Sequence, residues 1–212
     1  MKPFEDVPVS YTDTIFGSEY SDIMFKELWN DLDWVRHDKV PRREYYTSAL
    51  GHDYTYGQAA YARTYRSQPM HPTITYMIGI LNELLHRPST GDKFQYDTVF
   101  LNGYDNGSDH LGWHADDSPE MDDSYPIAII SLGAEREIWF RQKPGATFYP
   151  YDVLPKVSKL KLGNGSLCIM NAGMQDTHQH RIPKSDIQNC EPRISLTFRM
   201  YTDPTEEVNN AT

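Results

Sequence analysis

The stretch L-G-W-H-A-D-D at residues 111–117 sets His114 and Asp116 two positions apart. If the backbone there is extended, residues i and i+2 point to one face, so an imidazole and a carboxylate converge. Such a pair offers a divalent cation two adjacent corners, and a third ligand must come from elsewhere in the chain. His178 and His180, in the run T-H-Q-H, are the candidates for it. A His-x-Asp pair is also met as a surface histidine beside a solvated carboxylate, so the metal chemistry needs other groups that converge on the same place.

The run P-R-I-S-L-T-F-R at residues 192–199 supplies them. As a strand it carries Arg193, Ser195, Thr197 and Arg199 on one face and Ile194, Leu196 and Phe198 on the other. Two arginines on the face opposite an apolar one are costly unless they meet anions. At roughly 3.3 Å per residue they stand about 20 Å apart along an ideal strand. The two ends of a small dicarboxylate, or one anion and one acidic side chain, would satisfy them, and the planar guanidinium pairs bidentately with carboxylates. Upstream, L-N-G-Y puts Asn102 and Tyr104 on one strand face, an amide and a phenol suited to carboxylate or keto oxygens. Two histidines and one carboxylate that leave coordination positions open form the facial arrangement of non-haem Fe(II) oxygenases.

These side chains need a scaffold, and the chain is long enough for one domain with a substantial core. Hydrophobic residues make up 39% and charged residues 24%, the balance of a soluble globular protein. The net charge of -10 opposes a charge-driven polyanion binder, so any nucleic-acid contact must be local. No apolar run approaches the roughly 18–20 residues of a membrane span, and the start M-K-P-F-E-D lacks a signal-peptide core. The two cysteines, Cys168 and Cys190, have no metal-like spacing, which suits a reducing interior. Residues 1–20 have no clear period and are expected to form a loose lead-in.

Helices are expected over 21–32, capped by Ser21 or Asp22 with Ile23, Phe25, Leu28 and Trp29 on the apolar face, and over 73–87, with Ile74, Met77, Ile78, Leu81, Leu84 and Leu85. Between them a basic, tyrosine-rich stretch suggests short strands and turns. From residue 98 on, strand-like runs recur at 98–101, 127–132, 137–140, 157–160, 166–170 and 193–201, separated by D-N-G, P-G and G-N-G turns. That punctuation reads as an antiparallel sandwich or barrel.

The order of these motifs resembles the AlkB family of Fe(II)- and 2-oxoglutarate-dependent dioxygenases, in particular its DNA and RNA repair branch. The resemblance is carried by V-P-R-R, D-Y-T-Y-G, L-N-G-Y-D-N-G-S-D-H-L-G-W-H-A-D-D, P-I-A-I-I-S-L-G-A-E-R, G-S-L-C-I-M, T-H-Q-H-R-I-P-K and P-R-I-S-L-T-F-R, spread over residues 40–199. It implies an α+β fold: a double-stranded β-helix (jelly-roll) core at 96–203, preceded by helices and a nucleotide-recognition lid at 1–95 and followed by a tail at 204–212, all as one functional domain. It also implies that His114, Asp116 and His180 ligate Fe(II), with His180 ahead of His178 because it stands two residues before the Ile-Pro pair. By the same resemblance Asn102, Tyr104, Arg193, Ser195, Thr197 and Arg199 form the 2-oxoglutarate pocket, with Ser195 where family members often carry Asn. Asp117 would meet the exocyclic amine of a flipped base, Tyr54 and Tyr56 would stack on it with Gly57 following, and Arg42 and Arg43 would touch phosphates.

The implied reaction is oxidative removal of N-alkyl groups, such as those of 1-methyladenine or 3-methylcytosine, from DNA or RNA, single- or double-stranded. It consumes O2 and 2-oxoglutarate and releases succinate, carbon dioxide and formaldehyde. The expected protein is an intracellular monomer, cytoplasmic or nuclear. The alternatives are the same chemistry on a protein or small metabolite, or a non-catalytic binding module on the same barrel.

Overall fold

The computed structural model describes residues 1–4, 7–57, 62–85, 95–144, 156–187 and 190–202. In chain order the strands and helices are β1 (Lys2–Pro3), β2 (Val9–Thr12), α1 (Ser18–Asp31), β3 (Arg43–Ser48), β4 (Tyr54–Tyr56), β5 (Arg63–Tyr65), α2 (Pro72–Leu85) and β6 (Thr98–Tyr104). They continue with β7 (Leu111–His114), β8 (Ile127–Gly133), β9 (Arg136–Gln142), β10 (Ser158–Leu162), β11 (Ser166–Met170), α3 (Met174–Thr177), β12 (His178–Ile182) and β13 (Arg193–Arg199).

Seven strands form a major sheet in the order β1-β2-β11-β8-β13-β6-β3, and four form a minor sheet in the order β10-β9-β12-β7. Their pairings are antiparallel throughout. This is the antiparallel sandwich expected from the run of short strands, and the jelly-roll core that the resemblance implies. One cluster of buried side chains, including Ile129, Ile138, Phe140, Leu162 and Cys168, fills the space between the sheets. A second packs α1 and α2 on the other face of the major sheet through Leu28, Ile74, Met77, Leu81, Ile130, Leu196 and Phe198. β8 and β13 are therefore covered on both faces, which is why I-A-I-I at residues 127–130 reads as an unbroken apolar run rather than an alternation.

The first 20 residues are not a loose lead-in. β2 pairs with β11 and buries Val9, so the N-terminal segment extends the major sheet beyond β11. The unpaired edge of β11 is a stronger demand on the chain than its lack of a period suggests. The major sheet thus takes β1, β2 and β3 from the first 95 residues and the rest from the following ones.

α1 begins earlier than expected, at Ser18 after Gly17. Ser21 is not its cap: it lies inside the helix, where its hydroxyl donates to the Gly17 carbonyl at 2.7 Å. Ser21, Met24 and Leu28 form the buried face, whereas Ile23 is exposed. In α2 the expected face holds for Ile74, Met77, Ile78 and Leu81, while Leu84 lies exposed on its flank. The expected end of that helix at residues 86–87 lies outside the described residues.

The G-N-G turn between β10 and β11 has a structural reason. Gly165 adopts φ +77°, and a Cβ there would stand 2.2 Å from the Ser21 hydroxyl, so only glycine lets α1 lie this close. Gly165→Ala is expected to destabilise the fold by about 1–3 kcal/mol. Adding Ser21→Gly should recover part of the loss by removing the clash while leaving the unfavourable φ. Urea-denaturation midpoints of the two variants check this.

Candidate active site

The site lies between the two sheets, where β7 and β12 run side by side in the minor sheet. His114 ends β7 and stands directly opposite His180 of β12 in the antiparallel register. Cross-strand neighbours project to one face, so the two rings meet with centroids 4.2 Å apart. The chain leaves the strand after His114, and Asp116 turns back beneath both rings, buried. Its Oδ1 is 3.6 Å from His114 Nε2 and its Oδ2 is 3.6 Å from His180 Nε2. One ligand atom from each of the three residues lies within 4.8 Å of the others, the only such group of three among the described residues. The extended geometry assumed for residues 111–117 stops at His114, yet the loop delivers the carboxylate to the same place.

His178, the other candidate, is buried apart from this group, with its Nδ1 2.8 Å from the Thr177 hydroxyl. In strand β12 it shares a face with His180 but lies one pleat further from β7.

The protonation states suit a cation. His114 Nδ1 lies 2.9 Å from the Gly112 carbonyl, a contact made by an N–H, which leaves the Nε2 lone pair toward the cluster. Burial, reinforced by His114, pushes the His180 imidazole down to about 3, so it is neutral at ordinary pH. Burial alone would raise the Asp116 carboxyl, but Arg199, His180 and His114 together hold it well below the usual carboxylate range. The dominant partner is Arg199, whose Nη2 donates to Asp116 Oδ2 at 2.7 Å. From below, Gln175 of α3 accepts the Asp116 backbone N–H at 2.9 Å. Gln175 carried no signal in the sequence.

β13 places its two arginines differently. Arg199 meets Asp116. Arg193, fully buried, donates from Nε to Ser131 Oγ at 2.8 Å and from Nη2 to Ser195 Oγ at 3.4 Å, and its Nη1 has no partner among the described residues. Its guanidinium stands 5.3 Å from the centre of the Tyr104 ring. No carboxylate of the described residues pairs with it, and burial lowers it to about 10. A buried cation without a counter-ion is the feature expected of an anion seat. Asn102, Tyr104, Ser195, Thr197 and Arg199 line the same cavity as His114, Asp116 and His180.

The mouth is aromatic. β4 and β5 form a two-stranded flap that brings Tyr54, Tyr56 and Tyr65 over the cavity, with Phe100 beneath. Tyr54 is buried, exchanges a hydrogen bond with Ser118 at 3.0 Å, and is pushed up to about 12 by burial. Tyr56 is partly exposed at the rim, followed by Gly57 at φ +88°. Asp117 faces outward and pairs with Lys143 Nζ at 3.0 Å. Arg42 and Arg43 do not offer free guanidinia to phosphates. Arg42 turns into the cavity wall and donates to Asn102 Oδ1 at 2.6 Å and Glu44 Oε1 at 2.5 Å. Arg43 lies 4.8 Å over the Trp29 ring and 2.7 Å from Asp105 Oδ1. The resemblance assigned them to phosphates, but the sequence could not show which acids would claim them.

A family model for the 2OG-Fe(II) oxygenase superfamily matches residues 21–199. The chain is 33% identical over 193 residues to the alpha-ketoglutarate-dependent dioxygenase alkB homolog 3 of Bos taurus, a match covering 87% of this chain and 63% of that one. The chain therefore spans less than two thirds of that relative's length. It is 31% identical over 208 residues to the DNA oxidative demethylase ALKBH2 of Homo sapiens, covering 92% of this chain and 74% of the relative. Among solved structures, that of OsALKBH1 superimposes with a TM-score of 0.59 at 16% identity, covering 93% of this chain and all of the other.

Two outcomes follow from the geometry. Asp116→Ala or His180→Ala should weaken Mn(II) binding by more than about 100-fold, whereas His178→Ala should stay within about threefold, as read by calorimetry. The metal-free protein should lose stability as pH falls. His180 is held neutral in the fold while the unfolded chain protonates near pH 6.5, so its cost begins there and grows toward about 3. Asp116, depressed in the fold, adds a loss of the same sign once pH drops below the unfolded carboxyl value near 4. His180→Gln should flatten the slope of thermal stability between pH 6.5 and 4.

Proposed function

Since the chain belongs to the 2OG-Fe(II) oxygenase superfamily, and within it to the AlkB family, we propose that it is an iron- and 2-oxoglutarate-dependent dioxygenase that removes N-alkyl groups from nucleic-acid bases. The observation that carries this reading is the meeting of two imidazoles and one carboxylate beside a buried arginine that lacks a counter-ion among the described residues. Fe(II) held by these residues, with 2-oxoglutarate and O2 as co-reactants, would supply the oxidising power for hydroxylation of the N-alkyl carbon.

In this reading His114, Asp116 and His180 hold the metal. Arg199 keeps Asp116 ionised and aimed, since an arginine at 2.7 Å favours the charged form of the acid. Arg193 takes a carboxylate of 2-oxoglutarate on its free Nη1, with the Tyr104 phenol and the Asn102 amide beside it. Ser195 and Thr197 add hydroxyls along the same strand face. The apolar wall of Leu111, Ile129, Ile138 and Ile182 excludes water from the space between the sheets.

The nucleotide enters beneath the β4–β5 flap. Tyr54 and Tyr56 offer aromatic faces to an extruded base, with Gly57 leaving room at the rim. Asp117, exposed at the rim, suits an alkylated base because methylation at a ring nitrogen leaves it cationic. The Lys143 ammonium must then yield that carboxylate. The protein acts as a monomer inside the cell, where its two buried cysteines stay reduced. No described helix is long and apolar enough to cross a membrane.

A second reading has one observation in its favour. Asp117, Asp122, Asp123 and Asp176 line a cavity of about 300 Å³ beside the site, which suits a cationic peptide better than a phosphate backbone. Ionic strength separates the two, because phosphate contacts make affinity fall steeply with salt.

The direct test is incubation with Fe(II), ascorbate, 2-oxoglutarate and DNA or RNA oligonucleotides carrying 1-methyladenine or 3-methylcytosine, single-stranded and duplex. Formaldehyde and succinate should appear together and depend on the lesion. Succinate without lesion-dependent formaldehyde would overturn the nucleic-acid assignment. Arg193→Met should raise the 2-oxoglutarate concentration for half-maximal rate by at least about tenfold. Asp117→Ala should slow lesion turnover more than it slows lesion-independent succinate release.

A further inference from the structure

The two halves of the cavity, the flap over the mouth and the polar wall beneath, come from separate parts of the chain. Within the described residues they share one charged group. Glu44 of β3 is buried at 1% exposure, yet its carboxylate is reached from three sides. Arg42 Nη2 donates to Oε1 at 2.5 Å. Arg63 Nη1 and the Tyr65 hydroxyl, both on β5 of the flap, donate to Oε2 at 3.3 Å and 3.1 Å. His37 Nε2 stands further out, 3.9 Å from the same oxygen.

The geometry points to Glu44 as a positioning residue that sets the 2-oxoglutarate wall and the nucleotide flap from a single carboxylate, an inference that rests on the function proposed above. The first arm runs through Arg42. With Nη2 held by Glu44, the Arg42 Nε donates to Asn102 Oδ1 at 2.6 Å. That bond fixes which way the Asn102 amide faces, so its NH2 is left as the donor presented to the cavity. Without Glu44, Arg42 is a poorly anchored cation on the cavity wall, free to compete with Arg193 for an anion.

The second arm runs through β5. The flap is only two short strands, and a two-stranded ribbon is marginally stable alone. Its own strands meet the major sheet through rings, Tyr54 and Tyr65 against Phe100 and Tyr46, while the chain leaving β5 bonds to β3 through Ser67 and Gln68. Such rings can slide, whereas two donors on a buried charge cannot without leaving it unpaired. Backbone hydrogen bonds between Glu44 and Val35, at 2.7 and 3.0 Å, hold the carboxylate's own strand in place. Glutamate suits the position because two oxygens can serve the two arms at once, and an amide has only one acceptor.

The test uses the full chain with Mn(II) and an unreactive 2-oxoglutarate analogue, so binding is read by calorimetry without turnover. Amide hydrogen exchange at residues 54–56 and 63–65 reads the flap. Glu44→Ala should weaken analogue binding about tenfold and speed flap exchange by a similar factor, with Glu44→Gln intermediate in both. Arg42→Met should reproduce only the loss of analogue affinity, and Arg63→Met only the faster exchange.

If Glu44→Ala folds and either reading stays within twofold of the parent chain, the shared-carboxylate inference is wrong. If it does not fold, the arginine variants decide. Arg42→Met with unchanged analogue affinity, or Arg63→Met with unchanged flap exchange, overturns it, and the paired separate losses uphold it. Should the parent chain bind the analogue but turn over no alkylated oligonucleotide, the substrate assignment falls while the exchange and affinity results still judge Glu44.

Discussion

The ion pair between Asp116 and Arg199 is the constraint around which the rest of the fold is arranged. Both side chains are buried, the nitrogen–oxygen distance is 2.7 Å, and, the His114 and His180 imidazoles aside, neither charge has an alternative partner of opposite sign among the described residues. Removing one member of such a pair leaves the other stranded in a low-dielectric interior, at a cost of about 3–5 kcal/mol. Neutralising Asp116 instead would give up the charge that a cation between the imidazoles needs. The pair therefore has to be kept, and keeping it requires that β13 and the loop after β7 meet across the two sheets.

That requirement explains the place of β13. It lies between β8 and β6 in the major sheet, with each residue from Ile194 to Phe198 held on both sides. A strand pinned along both edges cannot slip register, and a slip of one residue would swap the arginine face for the Ile-Leu-Phe face. The apolar face anchors α1 and α2, whose packing supplies much of the burial that offsets the buried charges on the opposite face. The cost of the site and the helical layer that compensates it are thus carried by alternate residues of one strand.

Much of this was legible in the sequence, because period-two patterns are local. The alternation in R-I-S-L-T-F-R gave the inward face of β13, and turns such as G-N-G marked the strand ends. The His-x-Asp spacing gave two of the three converging side chains, although the loop that bends Asp116 beneath the rings is not the extended geometry that spacing assumes. What could not be read was cross-strand. The residue spacing left His178 and His180 both open, and the resemblance chose His180 from the Ile-Pro pair that follows it; the physical reason is the register that sets His180 against His114. The engagement of Arg42 with Glu44 and Asn102 depends likewise on β3 lying beside β6. So do the tryptophans on the outer face of the minor sheet, where Arg181 lies over both Trp113 and Trp139 and Lys159 over Trp139. The first residues were misjudged for the same reason, since β2 takes its order from the edge of β11.

The two arginines of β13 show how identical residues on one strand face acquire opposite tasks. Arg199 is buried, which by itself disfavours its charge, but Asp116 more than restores it and its guanidinium is raised above the ordinary arginine value. Arg193 is buried more completely still, beside hydroxyls and a neutral phenol, with Arg136 also near that ring, and it is lowered to about 10. Even there it keeps its proton at neutral pH, so the fold carries a cation whose charge no carboxylate among the described residues balances. Serine hydroxyls satisfy some of its N–H groups and none of its charge. An arriving carboxylate would gain a charge-assisted bond and relieve that imbalance, whereas at Arg199 it would have to share a guanidinium with Asp116. In the proposed function electrostatics therefore favours Arg193 as the anion's principal seat and leaves Arg199 to hold the acid, a division that two arginines six residues apart do not reveal until the register of β13 is known.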